Sequence, residues 1–406
     1  MLKANPDRAL ADLYHLRSIG TYKTGVHRPT LSPEDMLTRH WLVEQLQGIG
    51  HEAGIDGIAN VWSRAPGTGP FVLAGSHIES QNHAGWLDGA LGVVYALEAA
   101  RAVHEAGLTG GVDVMAFADE EGHFAGGFPG SESFVGELTE ERIDALQDRS
   151  GRGSLRDMLS MNGLAGRERV RIEPNRYRAF FEAHIEQGSR LIDEGFQIGV
   201  VTSIVAIWQY RLVFEGAQNH AGTTTMGSRR DAAAALQRVW QGIQSSFPDL
   251  AGPHSVWTVG RIDLDPGGPS IIPGRAEMLF QFRDADQTVL DRLHDRLEAL
   301  VAEEDRVGPC SARLEIMSQS RPAHMAATPQ AALKEAADAL APGQALVMPS
   351  GAGHDAQVIA PHVPSAMMFV PSIGGISHHW TEDTSDEDIK LGVEVYCDAV
   401  RRVLMT

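Results

Sequence analysis

Four apolar runs, each closing on a histidine or an acid, constrain the fold of this chain more than any other feature. They are FVLAGSH (71–77), VDVMAFADEE (112–121), AFFEAHIE (179–186) and SAMMFVPSIGGISHH (365–379). Short apolar runs of this kind, without alternation, read as strands buried on both faces, as a parallel sheet requires. Helical spacing lies between and before them, at residues 9–19, 33–48 and 90–106. In the second of these Leu37, Trp41, Leu42, Val43 and Leu46 supply the expected apolar face. Alternating strands and helices point to an α/β fold with a mostly parallel sheet and its functional groups at strand ends. The stretch IANVWSRAPGTGPFVLAGSH (58–77) reads as a hairpin around the Pro/Gly turn at Pro66–Pro70.

The texture changes near residue 205. VAIWQYRLVFEG, SVWTVGRIDL, AEMLFQFRDAD and ARLEIMSQ read as strands, RRDAAAALQRVWQGIQSSF and QTVLDRLHDRLEALVAEE as helices. This βαββαβ-like order predicts a compact α+β domain at 207–323, inserted into a larger domain formed by 1–206 and 324–406. A chain of 406 residues is long enough for two domains. Its net charge of −19 argues against nucleic acid and anionic membranes as partners. No segment approaches the ~20 apolar residues of a membrane span, and MLKANPDRALADLYHL has no apolar signal core, so a cytoplasmic location is expected. Cys310 and Cys397, far apart in sequence, read as buried thiols and not as a disulfide framework.

Taken singly, the polar strand ends are ordinary. A lone His184 after an apolar run suits a satisfied core position, and an EEG tripeptide suits a hydrated turn. Adjacent side chains on a strand point to opposite faces, so Glu120 and Glu121 can share one site only where the strand stops. There one carboxylate can ligate a metal while the other stands beside it as a base. Histidines and acids at four strand ends, with glycines nearby and no cysteine, suit zinc, manganese, cobalt or nickel. Five such groups exceed the needs of one ion. A carboxylate between histidine-bearing metals can bridge a pair about 3.5–4 Å apart.

The ordered segments GSHIES…GWLDGALGV, FADEEG, AHIEQG, NHAGTTTMGSRRDA, SGAGHDA and VPSIGGISH resemble the amidase family of hydantoinase/carbamoylase type. That family includes N-carbamoyl-L-amino acid hydrolases, allantoate amidohydrolases and β-ureidopropionases. The resemblance runs from about residue 10 to 400. It implies a di-metal, aminopeptidase-like catalytic domain with an inserted dimerisation (lid) domain, and a homodimer. It implies two divalent ions, with His77 and His184 on one, Glu121 and His378 on the other, and Asp88 bridging them. Glu120 is then the general base toward the bridging water. Glu79 stands where the family usually carries Asp, and would orient the ligand imidazole. His220 would reach the partner subunit's active site and stabilise the oxyanion of the tetrahedral intermediate.

The same resemblance implies that Arg283 forks onto a substrate carboxylate, with Gln187 and His354 at further contact positions. Ser270, in SIIPG, replaces the family's Asn; His379 and Trp380 stand where a small residue and Pro are common; Trp86 adds an aromatic beside Asp88. These departures bear on the choice of substrate. The implied activity is hydrolysis of a linear C–N bond in a small molecule: an N-carbamoyl or N-acyl amino acid, or a close relative. An aminoacylase-like deacylase is the nearest alternative. A catalytically inactive binding module would be expected to have lost one of the ligand positions, and all are present. A nucleotide-binding protein would need a Gly-rich phosphate loop after a strand, which this sequence lacks.

Overall fold

The computed structural model describes residues 3–124 and 126–406. The chain divides into two compact units, one formed by the chain up to Ser203 together with His324–Thr406, the other by Ile204–Ala323. The fold is mixed α/β, and the inserted unit begins three residues before the expected 207.

The larger unit is built on a nine-stranded sheet whose centre is parallel. Strand Phe71–His77 lies between Gly111–Phe117 and Tyr177–Ile185, parallel to both, and Ser365–Val370 runs parallel to Tyr177–Ile185 on its far side. These are the four apolar runs. Seven consecutive buried residues in each of the first two have no solvent face to offer, so each needs a strand on both edges and a layer on both sides. Parallel register aligns the carboxyl ends: His77 stands opposite Phe117, and His184 opposite Phe369. Helix Ala90–Glu105, almost wholly apolar and buried, packs on the sheet with Pro6–Ser18 and Asp386–Leu404 against it. Ser385 caps the last of these from outside, with three acids in its first turn and Arg401 and Arg402 in its last, as the helix dipole favours.

Two expectations are corrected here. The hairpin across Pro66–Pro70 does not form, because Gly111–Phe117 lies between the two strands that would have paired. Val61–Arg64 is antiparallel to Gly111–Phe117 and hairpins instead with Glu52–Ile55. The Pro/Gly segment is therefore a crossing over the end of a strand. Helix Pro33–Gly48, capped by Ser32, brings four of the five expected apolar residues to the core, Leu42 and Leu46 buried and Trp41 and Val43 packed against them, but not the fifth. Leu37 is exposed, whereas Asp35, Met36, Thr38, Arg39, Leu42 and Leu46 are buried. Asp35 and Arg39 form a buried ion pair on the inward side of the helix, 2.9 Å apart.

The smaller unit is a four-stranded antiparallel sheet in the spatial order Val256–Asp265, Arg275–Asp284, Ala206–Glu215, Ser311–Gln319. Helices Ala232–Leu250 and Gln287–Val307 cover one face. Burial along Arg275–Asp284 alternates strictly, with Ala276, Met278, Phe280 and Phe282 pointing to the helices and Glu277, Leu279, Gln281 and Arg283 to the other face. Across it, Trp208, Tyr210, Leu212 and Phe214 complete a core of its own, packed by Val239, Ile243, Leu293 and Leu297. Among the described residues no helix is long and apolar enough to cross a membrane. Cys310 and Cys397 are both buried and unbonded.

Candidate metal centre

At the carboxyl edge of the parallel strands, two groups of side chains converge on one acid. His77, Asp88 and His184 offer ligand atoms within 4.8 Å of one another, and so do Asp88, Glu121 and His378. Asp88 belongs to both, through different oxygens. Its Oδ1 is 3.4 Å from His77 Nε2 and 3.0 Å from His184 Nε2, while Oδ2 is 3.4 Å from His378 Nε2. Glu121 Oε2 lies 3.5 Å from the same nitrogen of His378.

The hydrogen bonds around the imidazoles say what charge the group wants. His184 Nδ1 donates to the Ile185 carbonyl at 3.0 Å, and His77 Nδ1 faces the Glu79 carbonyl at 3.3 Å. Each ring therefore carries its proton on Nδ1 and turns the Nε2 lone pair toward Asp88. His184 Nε2 accepts in addition from the Gly89 amide at 3.2 Å, and His77 Nε2 is buried with no hydrogen-bond partner. Two nitrogen lone pairs facing a carboxylate oxygen call for positive charge between them. Protons can supply it: burial alone would lower His77, but Glu120 and Asp88 raise it well above the ordinary imidazole value. Burial would likewise raise Asp88, yet the imidazoles, His184 foremost, hold it well below the usual carboxylate range. A divalent cation meets the same demand without titration, and the donor set of imidazole and carboxylate fits one.

Local backbone makes this convergence possible. Gly89, at φ +66°, opens the helix after Asp88, and a Cβ there would lie 2.3 Å from the His77 ring. Gln187 and His378 both adopt left-handed φ, 60° and 56°, which costs a non-glycine residue on the order of 1–3 kcal/mol and tends to occur at functional sites. Gln187 Nε2 donates to Asp88 Oδ2 at 2.9 Å and leaves its own Oε1 buried without a partner.

Glu120 lies outside both groups, its Oε2 3.6 Å from His77 Nε2. Burial, with Glu121, Asp355 and Asp88 adding to it, pushes its carboxyl well above the usual range against the opposing His77. The Glu79 carboxylate is 3.9 Å from His77 Nδ1, farther than the residue's own carbonyl. It accepts instead from the Glu120 amide at 2.8 Å and pairs with Arg39 at 2.7 Å. Arg39 in turn pairs with Asp35 at 2.9 Å, all three side chains fully buried. Glu79 thus ties the backbone of Glu120 to helix Pro33–Gly48. His354 is buried with Nε2 2.9 Å from Ser350 Oγ and its ring edge-on to His184; burial, with the His184 ring beside it, keeps it well below the usual imidazole value.

The remaining expected residues belong to the smaller unit. His220 is exposed, and its Nδ1 accepts from the Gly222 and Thr223 amides at 3.0 and 3.2 Å, so the ring proton is on Nε2 and points outward as a donor. The Ser270 carbonyl accepts from the Ala221 amide at 2.9 Å, which brings Ser270 to the His220 loop. Arg283 stands near the end of its strand on the face away from the helices, with Nη2 3.4 Å from Gln281 Oε1.

Two positioning residues escape a reading of the sequence. Glu382, buried, accepts from the Leu87 and Asp88 amides at 3.3 and 3.1 Å and from Ser377, whose hydroxyl is also 3.2 Å from Asp88 Oδ2. Gln81 donates from its backbone N to Glu121 Oε1 at 3.1 Å, and from Nε2 to Glu121 Oε2 at 3.0 Å and to the Glu121 carbonyl at 2.8 Å. An acid four residues after His378 is a weak signal for the first; for the second, an uncharged amide in a loop is no signal at all.

Residues 73–402 match the model of peptidase family M20/M25/M40. The chain is 33% identical over 401 residues to an N-carbamoyl-L-amino-acid amidohydrolase of Paenarthrobacter aurescens, covering 97% of each, and 33% identical over 383 residues to an allantoate amidohydrolase of Escherichia coli, covering 91% of each. Among solved structures, an amidase of the hydantoinase/carbamoylase family from Burkholderia phymatum superposes with a TM-score of 0.91 at 46% identity, over 99% of this chain and 98% of that one. An Asp88 shared by two ligand groups at the edge of a parallel sheet is thus set in a chain that belongs to the M20 family, among its hydantoinase/carbamoylase-type amidases, and is a hydrolase of non-peptide C–N bonds.

Proposed function

We propose that the protein hydrolyses the linear C–N bond of an N-carbamoyl (ureido) amino acid or a close relative, with two divalent ions bound as its cofactors. The division of Asp88 carries this proposal: one carboxylate oxygen faces His77 and His184, the other faces His378 beside Glu121. His77, His184 and Asp88 would hold one ion, Glu121, His378 and Asp88 the second. When bound, such a pair lowers the pKa of water into the neutral range and polarises a carbonyl. Zinc suits the donors, with manganese, cobalt or nickel as alternatives.

The chain's own groups do the rest. Glu120 takes the proton of the attacking water on its carboxylate and returns it to the leaving nitrogen; its backbone is held by Glu79. Gln187 offers Oε1 as an acceptor for a substrate N–H. Arg283 would fork onto the amino-acid carboxylate, with Ser270 and His354 as further contacts. His220, its proton fixed on Nε2, donates to the oxyanion as the carbonyl becomes tetrahedral. We place His220 in the site of the partner subunit of a homodimer. A carbamoyl substrate would yield the free amine, carbon dioxide and ammonia.

The test is product analysis on N-carbamoyl, N-acetyl and N-aroyl amino acids with protein of defined metal content. Ammonia release from carbamoyl substrates, lost on chelation and restored by Zn, Mn, Co or Ni, is the expected result. Turnover of acetyl substrates alone would move the assignment to a deacylase, and full activity without bound transition metal would overturn it.

A further inference from the structure

Of the five candidate ligands, four are buried and only His378 is open to solvent, with 51% of its side chain exposed. A substrate reaching the centre through the larger unit therefore arrives on the His378 side. On that side three segments bring five rings together. The hairpin Thr21–Tyr22 with Gly25–Val26 supplies Tyr22 and, just beyond it, His27; the loop after Gln81 supplies His83; the residues after His378 supply His379 and Trp380. The His27 and His83 rings stack at 4.3 Å, Tyr22 lies 4.2 Å from His83, and Trp380 is 3.7 Å from His379 and edge-on to Tyr22 at 6.0 Å.

This group is anchored to the centre from both sides. Gln81, two residues before His83, holds Glu121, and His379 and Trp380 follow directly on His378. Val26 and Ala84 exchange backbone hydrogen bonds of 2.9 and 3.0 Å, and the Thr24 hydroxyl donates to the Trp380 carbonyl, which closes the ring of segments.

None of the five rings is buried. Trp86, by contrast, is packed away in the core. The face of Trp380 is covered by the ammonium of Lys23, 3.4 Å above it, a flexible and exposed side chain that can swing aside. Flat apolar area kept at the approach to a reaction centre suits contact with another flat group. A cationic substrate group would meet Lys23 and three imidazoles. We infer that this ring wall is the side-chain subsite of the enzyme and selects N-carbamoyl amino acids that carry an aromatic side chain, Trp380 and Tyr22 providing the contact. The inference rests on the ureido-hydrolase function proposed above.

The test compares kcat/KM of metal-loaded enzyme for the N-carbamoyl derivatives of phenylalanine, alanine and aspartate. Phenylalanine should lead alanine by about tenfold or more, mainly through KM, as burial of a large apolar group gives. Trp380→Ala should lower that ratio by about tenfold and Trp380→Phe should keep most of it. A ratio near unity, a preference for aspartate, or equal losses on both substrates in Trp380→Ala would each overturn the inference while leaving the hydrolase intact. If no derivative is cleaved, the ureido assignment fails, and the ring wall is judged by binding alone. Calorimetry on metal-loaded Glu120→Gln should then show N-carbamoyl-phenylalanine bound about tenfold tighter than N-carbamoyl-alanine; a difference below about threefold overturns it.

Discussion

Glu120 and Glu121 are neighbours in sequence with different surroundings, and the difference supports the separate tasks proposed for them. Glu121 has both oxygens held by Gln81 and faces His378, as a ligand would. Glu120 is anchored through its amide, and its carboxylate faces His77. Glu120→Gln keeps the shape and removes the proton acceptor. Activity should fall by ~10²–10⁴ with metal content nearly unchanged; loss of metal in this variant, with retention in Glu121→Gln, would exchange the two roles. Gln81→Leu removes the Nε2 bonds to Glu121 Oε2 and to the Glu121 carbonyl while keeping the backbone bond to Oε1, and should weaken one of the two proposed ions by ~10–100-fold, as loss of a partner to a ligand does. Metal titration should then show one affinity shifted and the other little changed. Equal weakening of both would make Gln81 a general stabiliser. The histidines and acids could be picked out as letters, because few residue types ligate metals. Gln81 could not, since its value lies wholly in where its amide points.

Helix Pro33–Gly48 shows how an element serves a site it does not touch with a ligand. It turns Asp35 and Arg39 inward in place of Leu37, and Arg39 joins Glu79, whose other oxygen holds Glu120. Arg39→Met leaves Asp35 and Glu79 buried and unpaired. A stability loss of about 3–5 kcal/mol is expected, read as a lower urea midpoint. A loss under about 1 kcal/mol would show that Asp35 and Glu79 protonate or find water at little cost. The start of helix Ala90–Glu105 is constrained more tightly still. Gly89→Ala would press a methyl into the His77 ring, at a φ that alanine disfavours. It should abolish activity and metal retention, whereas the same change at Gly50, which also has a positive φ, +81°, but open space around it, should leave metal content intact.

At the scale of the molecule, the inserted unit has its own core and carries His220, Ser270 and Arg283, while the ligand cluster lies in the other unit. The proposed metals and the proposed oxyanion donor therefore need not share a chain. If His220 serves the partner subunit, mixing His220→Ala with Glu120→Gln subunits should restore activity toward roughly a quarter of wild type, since half the dimers are mixed and each then has one intact site. A mixture that exchanges subunits and stays inactive would return His220 to its own chain.

The four unalternating apolar runs determined the buried parallel strands by themselves, because a strand with no polar face can lie only between layers. The strict alternation in 275–284 determined the half-covered antiparallel sheet in the same way. Strand neighbours were another matter. Val61–Arg64 and Phe71–His77 sit on either side of a tight Pro/Gly turn, yet Gly111–Phe117 separates them, because pairing is decided by which edges remain free after distant segments have docked. The same holds for the charged face of helix Pro33–Gly48 and for Glu382 and Gln81. Local spacing records what a segment needs to bury, while hydrogen-bond partners tens or hundreds of residues away exist only once the tertiary fold has put them within 3 Å.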